Sequence, residues 1–519
     1  MQTKNKIDIS VLKGDKLFNE NTPFIININS PQPKKGEKKS NADLICVIDI
    51  SGSMSGNKIE LVKKSLKILT KMMDANDRLA LILFESEASI YFNLDYMTEE
   101  TKKNLITKID EIDTRGGTKI ITGLEKAIEI LKKDKKNSNK KYNRVSSIIL
   151  LSDGCDNGDD DIQLGEDLKK LTEGENLTFT LNTFGYGDDH DPKIMNTLAN
   201  IRDGAFFYVE NYQKVAEYFV TVLGGVVSAI SKNVKINIKL LNGYCKIVKV
   251  FGADNLYSYD LLPHIFKTEL LQFICGKDYT FVLEIKLDEK SLKINDELLY
   301  VEVFYNDINL NNKLVKKTYS YKYKLTDKNI GKAYEEYIRS QVYDLLDEAL
   351  KLRENNKKKE AKDLLTNMEE WLKKNYKGDN KMYLEDIIKS KSLFNDDYIF
   401  EKKGIAFAKS NIREKVFKRD GMNNMNMNCI QEEYCNNINY DDYDDYKNNI
   451  SDDYKNNNEI YDCKNNIDYK NNINYDDYKN NNEIYDYKNN NDYKNNNEIY
   501  DYKNNIKNSY DNDFFLFRK

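Results

Sequence analysis

Leu44-Ile45-Cys46-Val47-Ile48 runs directly into Asp49-Ile50-Ser51-Gly52-Ser53. A short, unbroken apolar run reads as a strand buried on both faces. The polar stretch after it carries one carboxylate and two hydroxyls. All three oxygens can face a cation at the carboxyl end of the strand. Beyond it, residues 58–73 read as an amphipathic helix, with Ile59, Val62, Leu66, Leu69 and Met73 near helical spacing.

The alternation of strand and helix continues outward from this start. Residues 79–84 read as a second buried strand and 88–94 as an antiparallel edge strand. Residues 98–112 read as a helix with Thr98 as its N-cap. The loop Arg115-Gly116-Gly117-Thr118 then feeds a helix over 121–131. A third buried strand, 146–152, ends at Asp153-Gly154, and a fourth covers 177–184. A helix over 192–201, a strand over 205–209 and a mostly apolar helix over 213–231 complete the unit. This order predicts an α/β fold, a doubly wound and mainly parallel sheet covered on both faces. Ligands of such sheets bind beyond the carboxyl ends of the strands. Asp49 and Asp153 both fall at such ends.

The pattern Asp-x-Ser-x-Ser at Asp49, Ser51 and Ser53, on a strand–loop–helix start, resembles the von Willebrand factor type A domain and its metal-ion-dependent adhesion site. In that family a Thr from a separate loop and an Asp at a later strand end complete the ligands. Thr118 and Asp153 match those two positions in order and spacing. The resemblance covers about residues 41–230 and implies metal ligands Asp49, Ser51, Ser53, Thr118 and Asp153. Two carboxylates, three hydroxyls and waters suit Mg²⁺, which takes about six oxygens; Mn²⁺ and Ca²⁺ stay open. The resemblance implies adhesion: the metal accepts an Asp or Glu carboxylate from a partner protein. The plain alternative is that Ser51 or Ser53 only caps the following helix. Lys119 and the acidic run Asp156, Asp159, Asp160 and Asp161 read as solvated loop residues.

The rest of the chain divides by pattern. Residues 1–40 hold one or two short strands, notably 24–28, and a charged linker over 31–40. Residues 41–231 are the α/β domain. Residues 232–328 alternate with period two, as in 234–240, 279–287, 300–305 and 319–325, and read as an antiparallel β-sandwich. The early strand 25–28 is expected to join it, so that the α/β domain is inserted between two parts of the sandwich. Residues 329–420 are helical: a hairpin over 330–376 turning at Asn355-Asn356, and a segment over 383–394. Residues 421–519 repeat Tyr-Lys-Asn-Asn-Asn-Glu-Ile-Tyr-Asp at 454–462, 478–486 and 493–501. This composition cannot bury enough apolar surface to fold, and reads as a disordered tail. Its Asn/Tyr bias leaves self-association open.

Composition narrows the function classes. A formal charge of −5 over 519 residues gives no reason to expect nucleic acid. The 7 cysteines are scattered and lack a Cys-x-x-Cys pair, which opposes a disulfide framework and a zinc site. Cys46 reads as a small buried hydrophobe. No signal-peptide pattern and no apolar run near the roughly 20 residues of a membrane span are seen, so a cytoplasmic location is expected. The phosphate-loop pattern is not met around Gly52 to Lys58, and the calcium-loop pattern fails at Cys155 and Leu164. His190 and His264 fit no hydrolase motif and read as loop or surface residues. The expectation is a non-enzymatic, metal-dependent protein-binding or scaffold module. The alternatives are a scaffold acting through sandwich, helices or tail with a purely structural metal, then a metal-assisted hydrolase or a ubiquitin-pathway component.

Overall fold

A computed structural model describes residues 7–416, except 32–39, 138–143, 176, 188–189, 210–211, 256–257, 326–329, 377 and 379. The tail over 421–519 and most of the 31–40 linker lie outside the described residues. Two strands come first, β1 (Asp8–Lys13) and β2 (Thr22–Asn29). Next are β3 (Asn41–Asp49), a single 3-10 turn (Gly52–Met54), α1 (Asn57–Met72), β4 (Arg78–Phe84), β5 (Ala88–Tyr96) and α2 (Glu99–Asp110). They are followed by α3 (Ile120–Asn137), β6 (Arg144–Ser152), α4 (Asp161–Thr172), β7 (Phe179–Tyr186), α5 (Pro192–Ile201), β8 (Phe206–Val209) and α6 (Tyr212–Val227).

These strands form a six-stranded sheet in the order β5-β4-β3-β6-β7-β8. Only β5 runs antiparallel to its neighbour. The apolar runs explain the centre: every residue of β7, and all but the first of β3 and β4, is buried. At the edge, β5 is half-exposed and alternates polar with apolar side chains. Ile45, Val47, Ile82, Phe84, Ile148 and Leu150 pack under α3, α4 and α5. Gly123 lets α3 approach closely, since a Cβ there would lie 2.6 Å from Val47 Cγ1. From β3 the chain steps to β4 on one side and returns to β6 on the other. That reversal opens a crevice at the carboxyl ends of β3 and β6, a binding position in such sheets.

Antiparallel strands follow: β9 (Ala229–Leu240), β10 (Lys246–Val250), β11 (Ser258–Leu262), β12 (Ile265–Ile274), β13 (Asp278–Lys286), β14 (Glu297–Asp307) and β15 (Lys313–Lys322). One sheet has the order β11-β12-β9-β14-β15, the other β1-β2-β13-β10. In the second, Phe24 pairs with Leu283, Ile26 with Phe281 and Ile28 with Tyr279. The residues before the α/β unit thus share a sheet with residues well after it. Three differences from the sequence reading stand out. The apolar helix ends at Val227 rather than 231, because Ala229 and Ser231 pair with Ile274 and Phe273 in the β9–β12 ladder. Strand β15 covers 313–322 rather than 319–325, set by its pairing with β14. Strands β10, β11 and β12 went unread: the first two are five residues long and β11 is exposed throughout, while the alternation of β12 stops at Leu270, from which four successive residues are buried.

The helical region is α7 (Ile330–Glu354), α8 (Lys358–Asn375) and α9 (Lys381–Asn395), then a π-helical turn (Phe400–Gly404) and a last helix (Ile405–Val416). Asn356 makes the α7–α8 turn with φ +61°, a conformation that asparagine tolerates. Glu284 of β13 locks α7 to the sheet. Its buried carboxylate accepts from Tyr337 Oη at 2.6 Å, Gln341 Nε2 at 3.2 Å and Asn19 Nδ2 at 3.0 Å. Among the described residues no helix is long and apolar enough to cross a membrane.

Candidate metal centre

Asp49 is the last residue of β3 and is fully buried. Its Oδ1 accepts the Ser51 N–H at 2.9 Å, and its Oδ2 accepts the Ser152 hydroxyl at 2.5 Å. Ser51 is buried and Ser53 exposed, and their Oγ atoms lie 3.0 Å apart. Neither hydroxyl caps α1. The N-cap of that helix is Gly56 at φ +74°, and Ser51 precedes only the 3-10 turn, without a side-chain cap bond. Capping therefore does not account for the two serines.

Thr118, also buried, arrives on the loop before α3. Backbone hydrogen bonds tie that loop to its neighbours on both sides. Arg115 N–H donates to Ile50 O at 2.6 Å and Gly52 N–H to Gly116 O at 3.2 Å. Asn157 N–H donates to Thr118 O at 3.0 Å. Gly116 sits at φ +74°, and a Cβ on it would lie 2.4 Å from Glu85 Oε2. The acidic run is more than solvated loop. Asp156 is half-buried and its Oδ2 accepts the Ile120 N–H at 2.7 Å, capping α3 from a distant loop. Asp160 caps α4 through the Ile162 and Gln163 N–H groups, and Asp161 Oδ2 accepts the Thr197 hydroxyl at 3.1 Å.

Asp153 follows β6 and is fully buried. Its Oδ1 accepts the Cys155 N–H at 3.3 Å, and its Oδ2 accepts from Lys58 Nζ at 2.9 Å. Sequence reading missed Lys58. The available signal was its place in the first turn of α1, where a cation opposes the helix dipole. The five predicted residues thus sit on three loops bonded to one another at the β3–β6 crevice. The electrostatics are unbalanced. Burial pushes the Asp49 carboxyl up to about 6, against the pull of its Ser152 and Ser51 hydrogen bonds, and the nearby Asp153 charge adds to the rise. Among the described residues the two buried carboxylates share one bonded ammonium group, that of Lys58. Burying uncompensated charge is unfavourable.

Other sequence expectations meet a mixed outcome. Cys46 is buried, and burial pushes its thiol up. Lys119 is exposed. His190 is not a surface residue: it is 3 % exposed, its ring stacks on Tyr208 at 4.6 Å, and Nδ1 lies 2.8 Å from Gly187 O. His264 is half-buried. Among the described residues no group of three or more His, Cys, Asp and Glu side chains could hold a metal. The predicted set at the β3–β6 crevice brings two carboxylates, and its other donors are hydroxyls.

An open, mainly parallel sheet with hydroxyls and carboxylates at its switch point defines the class, and comparison with known proteins agrees. Residues 43–220 match the model of the von Willebrand factor type A domain. The chain contains that domain, over about a third of its length. It is 27% identical over 219 residues to uncharacterized protein sll0103 of Synechocystis, covering 41% of this chain and 49% of the relative. It is 30% identical over 162 residues to mouse inter-alpha-trypsin inhibitor heavy chain H3, covering 30% of this chain and 18% of the relative. The chain therefore spans about half of the first relative and under a fifth of the second. The solved structure titled von Willebrand factor type A from Catenulispora acidiphila superposes with a TM-score of 0.54 at 12% identity. The superposition covers 80% of this chain and 98% of that one, so the shared fold reaches beyond residues 43–220.

Proposed function

We propose that this chain is a metal-dependent protein-binding or scaffold module without catalytic activity of its own. A divalent cation would be held by Asp49, Ser51, Ser53, Thr118 and Asp153. The observation that carries the reading is the pair of fully buried carboxylates, Asp49 and Asp153, at the ends of adjacent strands, with the Lys58 ammonium on one of them. Such a pair calls for added positive charge. The donors are all hard oxygens, which suits Mg²⁺ or Mn²⁺ better than a soft metal. When bound, the ion supplies an electrophilic centre that takes an Asp or Glu side chain of a partner protein. The chain's own residues do the positioning. Ser152 and the Ser51 N–H orient Asp49, the Cys155 N–H orients Asp153, and the loop bonds hold Thr118 beside the serine loop.

The von Willebrand domain and its resemblance to the inhibitor heavy chain support a role in protein interaction. The test has two arms. Isothermal titration of the purified chain with MgCl₂ is expected to show one site, abolished in Asp49→Ala/Asp153→Ala. Pull-downs with and without EDTA are expected to lose the same proteins as that variant loses. Mg²⁺ binding with an unchanged pull-down list would turn the reading toward a structural metal and a scaffold working through the sandwich or helices. Absence of binding would end the metal reading.

A further inference from the structure

Lys58 is the one cation hydrogen-bonded to the Asp153 carboxylate among the described residues. Its side chain is 16% exposed and that of Asp153 0%. A cation in the first turn of a helix is opposed by the helix dipole, so something else must stabilise it there. The buried carboxylate does so. Asp153 has one oxygen held by backbone, at Cys155, and the other held by Lys58. Charge counting then becomes decisive. Ionised Asp49 and Asp153 together carry two negative charges. Lys58 neutralises one, a divalent cation alone neutralises both, and the two cations together leave a buried excess of positive charge. Excess charge of either sign is costly in a desolvated site.

We propose that Lys58 is a built-in competitor for the divalent cation: loading the site exchanges the Lys58 ammonium off Asp153 and releases it toward solvent. The inference rests on the metal reading above and adds its regulation. Lys58 keeps the metal-free fold from carrying two uncompensated buried charges, and in return weakens metal binding. Once displaced, it stands at the mouth of the crevice as a second cationic contact for an incoming carboxylate.

The probe is Mn²⁺, with the free ion counted by electron paramagnetic resonance, on the full chain and on Lys58→Met and Lys58→Arg. Lys58→Met is expected to bind Mn²⁺ at least about tenfold tighter, the scale of a close buried charge pair. Lys58→Arg, whose planar fork holds a carboxylate more firmly, is expected to bind more weakly than wild type. A second readout uses wild type alone: amine labelling of Lys58, followed by mass spectrometry, is expected to accelerate when Mg²⁺ is added. This arm decides the matter if Lys58→Met does not fold. Lys58→Met binding no tighter than a wild type that does bind Mn²⁺, or labelling insensitive to Mg²⁺, overturns the exchange and spares the metal reading. No Mn²⁺ binding by either protein overturns both.

Discussion

Strand β3 carries a buried aspartate at each end, and the two are treated in opposite ways. At the amino end Asp43 accepts from Arg78 Nε at 2.8 Å, Arg78 Nη2 at 2.7 Å and Arg144 Nε at 2.6 Å. Arg78 also reaches Asp134, and Arg144 reaches the Ala42 and Asn76 carbonyls. Charges and hydrogen bonds are closed there. At the carboxyl end, Asp49 and Asp153 have hydroxyl and N–H donors but, among the described residues, share the single ammonium of Lys58. One strand thus ends in a completed structural network on one side and in a charge deficit on the other. A structural network saturates its own groups, whereas a binding site leaves capacity for what arrives.

The sharpest way to break this contrast is Arg144→Met. It leaves Asp43 with Arg78 alone and deprives the Ala42 and Asn76 carbonyls of their side-chain donor, and the loss of these three bonds, one of them between charged groups, is expected to remove about 3–5 kcal/mol of stability. Urea denaturation measures it, and a loss under about 1 kcal/mol would mean the amino-end network is not structural. Asp49→Asn is expected to act in the opposite direction. In the metal-free protein the folded carboxyl titrates at about 6 against 3.8 for its ordinary value. The folded state therefore holds a proton that the unfolded state has released, and stability falls as pH rises through that window. The Asp49→Asn variant would regain on the order of 3 kcal/mol at pH 7. It would also flatten the stability profile between about pH 4 and 6 and abolish stabilisation by Mg²⁺. Thermal melts in EDTA across pH test the sign, and a variant less stable than wild type at pH 7 would refute the deficit.

Smaller changes refine the picture. Gly116→Ala places a Cβ against Glu85 at a positive φ, with an expected loss of about 1–2 kcal/mol and weaker metal binding through displacement of the Thr118 loop. Metal titration alongside urea denaturation checks both effects. Ser53→Ala should leave stability within about 0.5 kcal/mol, since the side chain is exposed. Its effect is expected in Mn²⁺ affinity alone, several-fold weaker. Equal affinity for wild type and this variant would remove Ser53 from the ligand set.

The sequence by itself determined the α/β class and where the oxygen donors lie along the chain. Both rest on short-range patterns, apolar runs such as 44–48, helical spacing over 58–73 and a five-residue motif, to which the family resemblance added Thr118 and Asp153 as donors. It also placed Asp49 and Asp153 at strand ends, because a strand stops where its apolar run stops. Tertiary structure decided what those groups touch. Lys58 meets Asp153 across 95 residues, and Asp156 caps a helix that begins 36 residues earlier. His190 is buried against Tyr208 although its local sequence is polar. Such pairings depend on strand order and register, which bring distant loops together at one crevice. Local pattern reports which side chains are available there, and only the assembled sheet sets their partners and the charge left unbalanced between them.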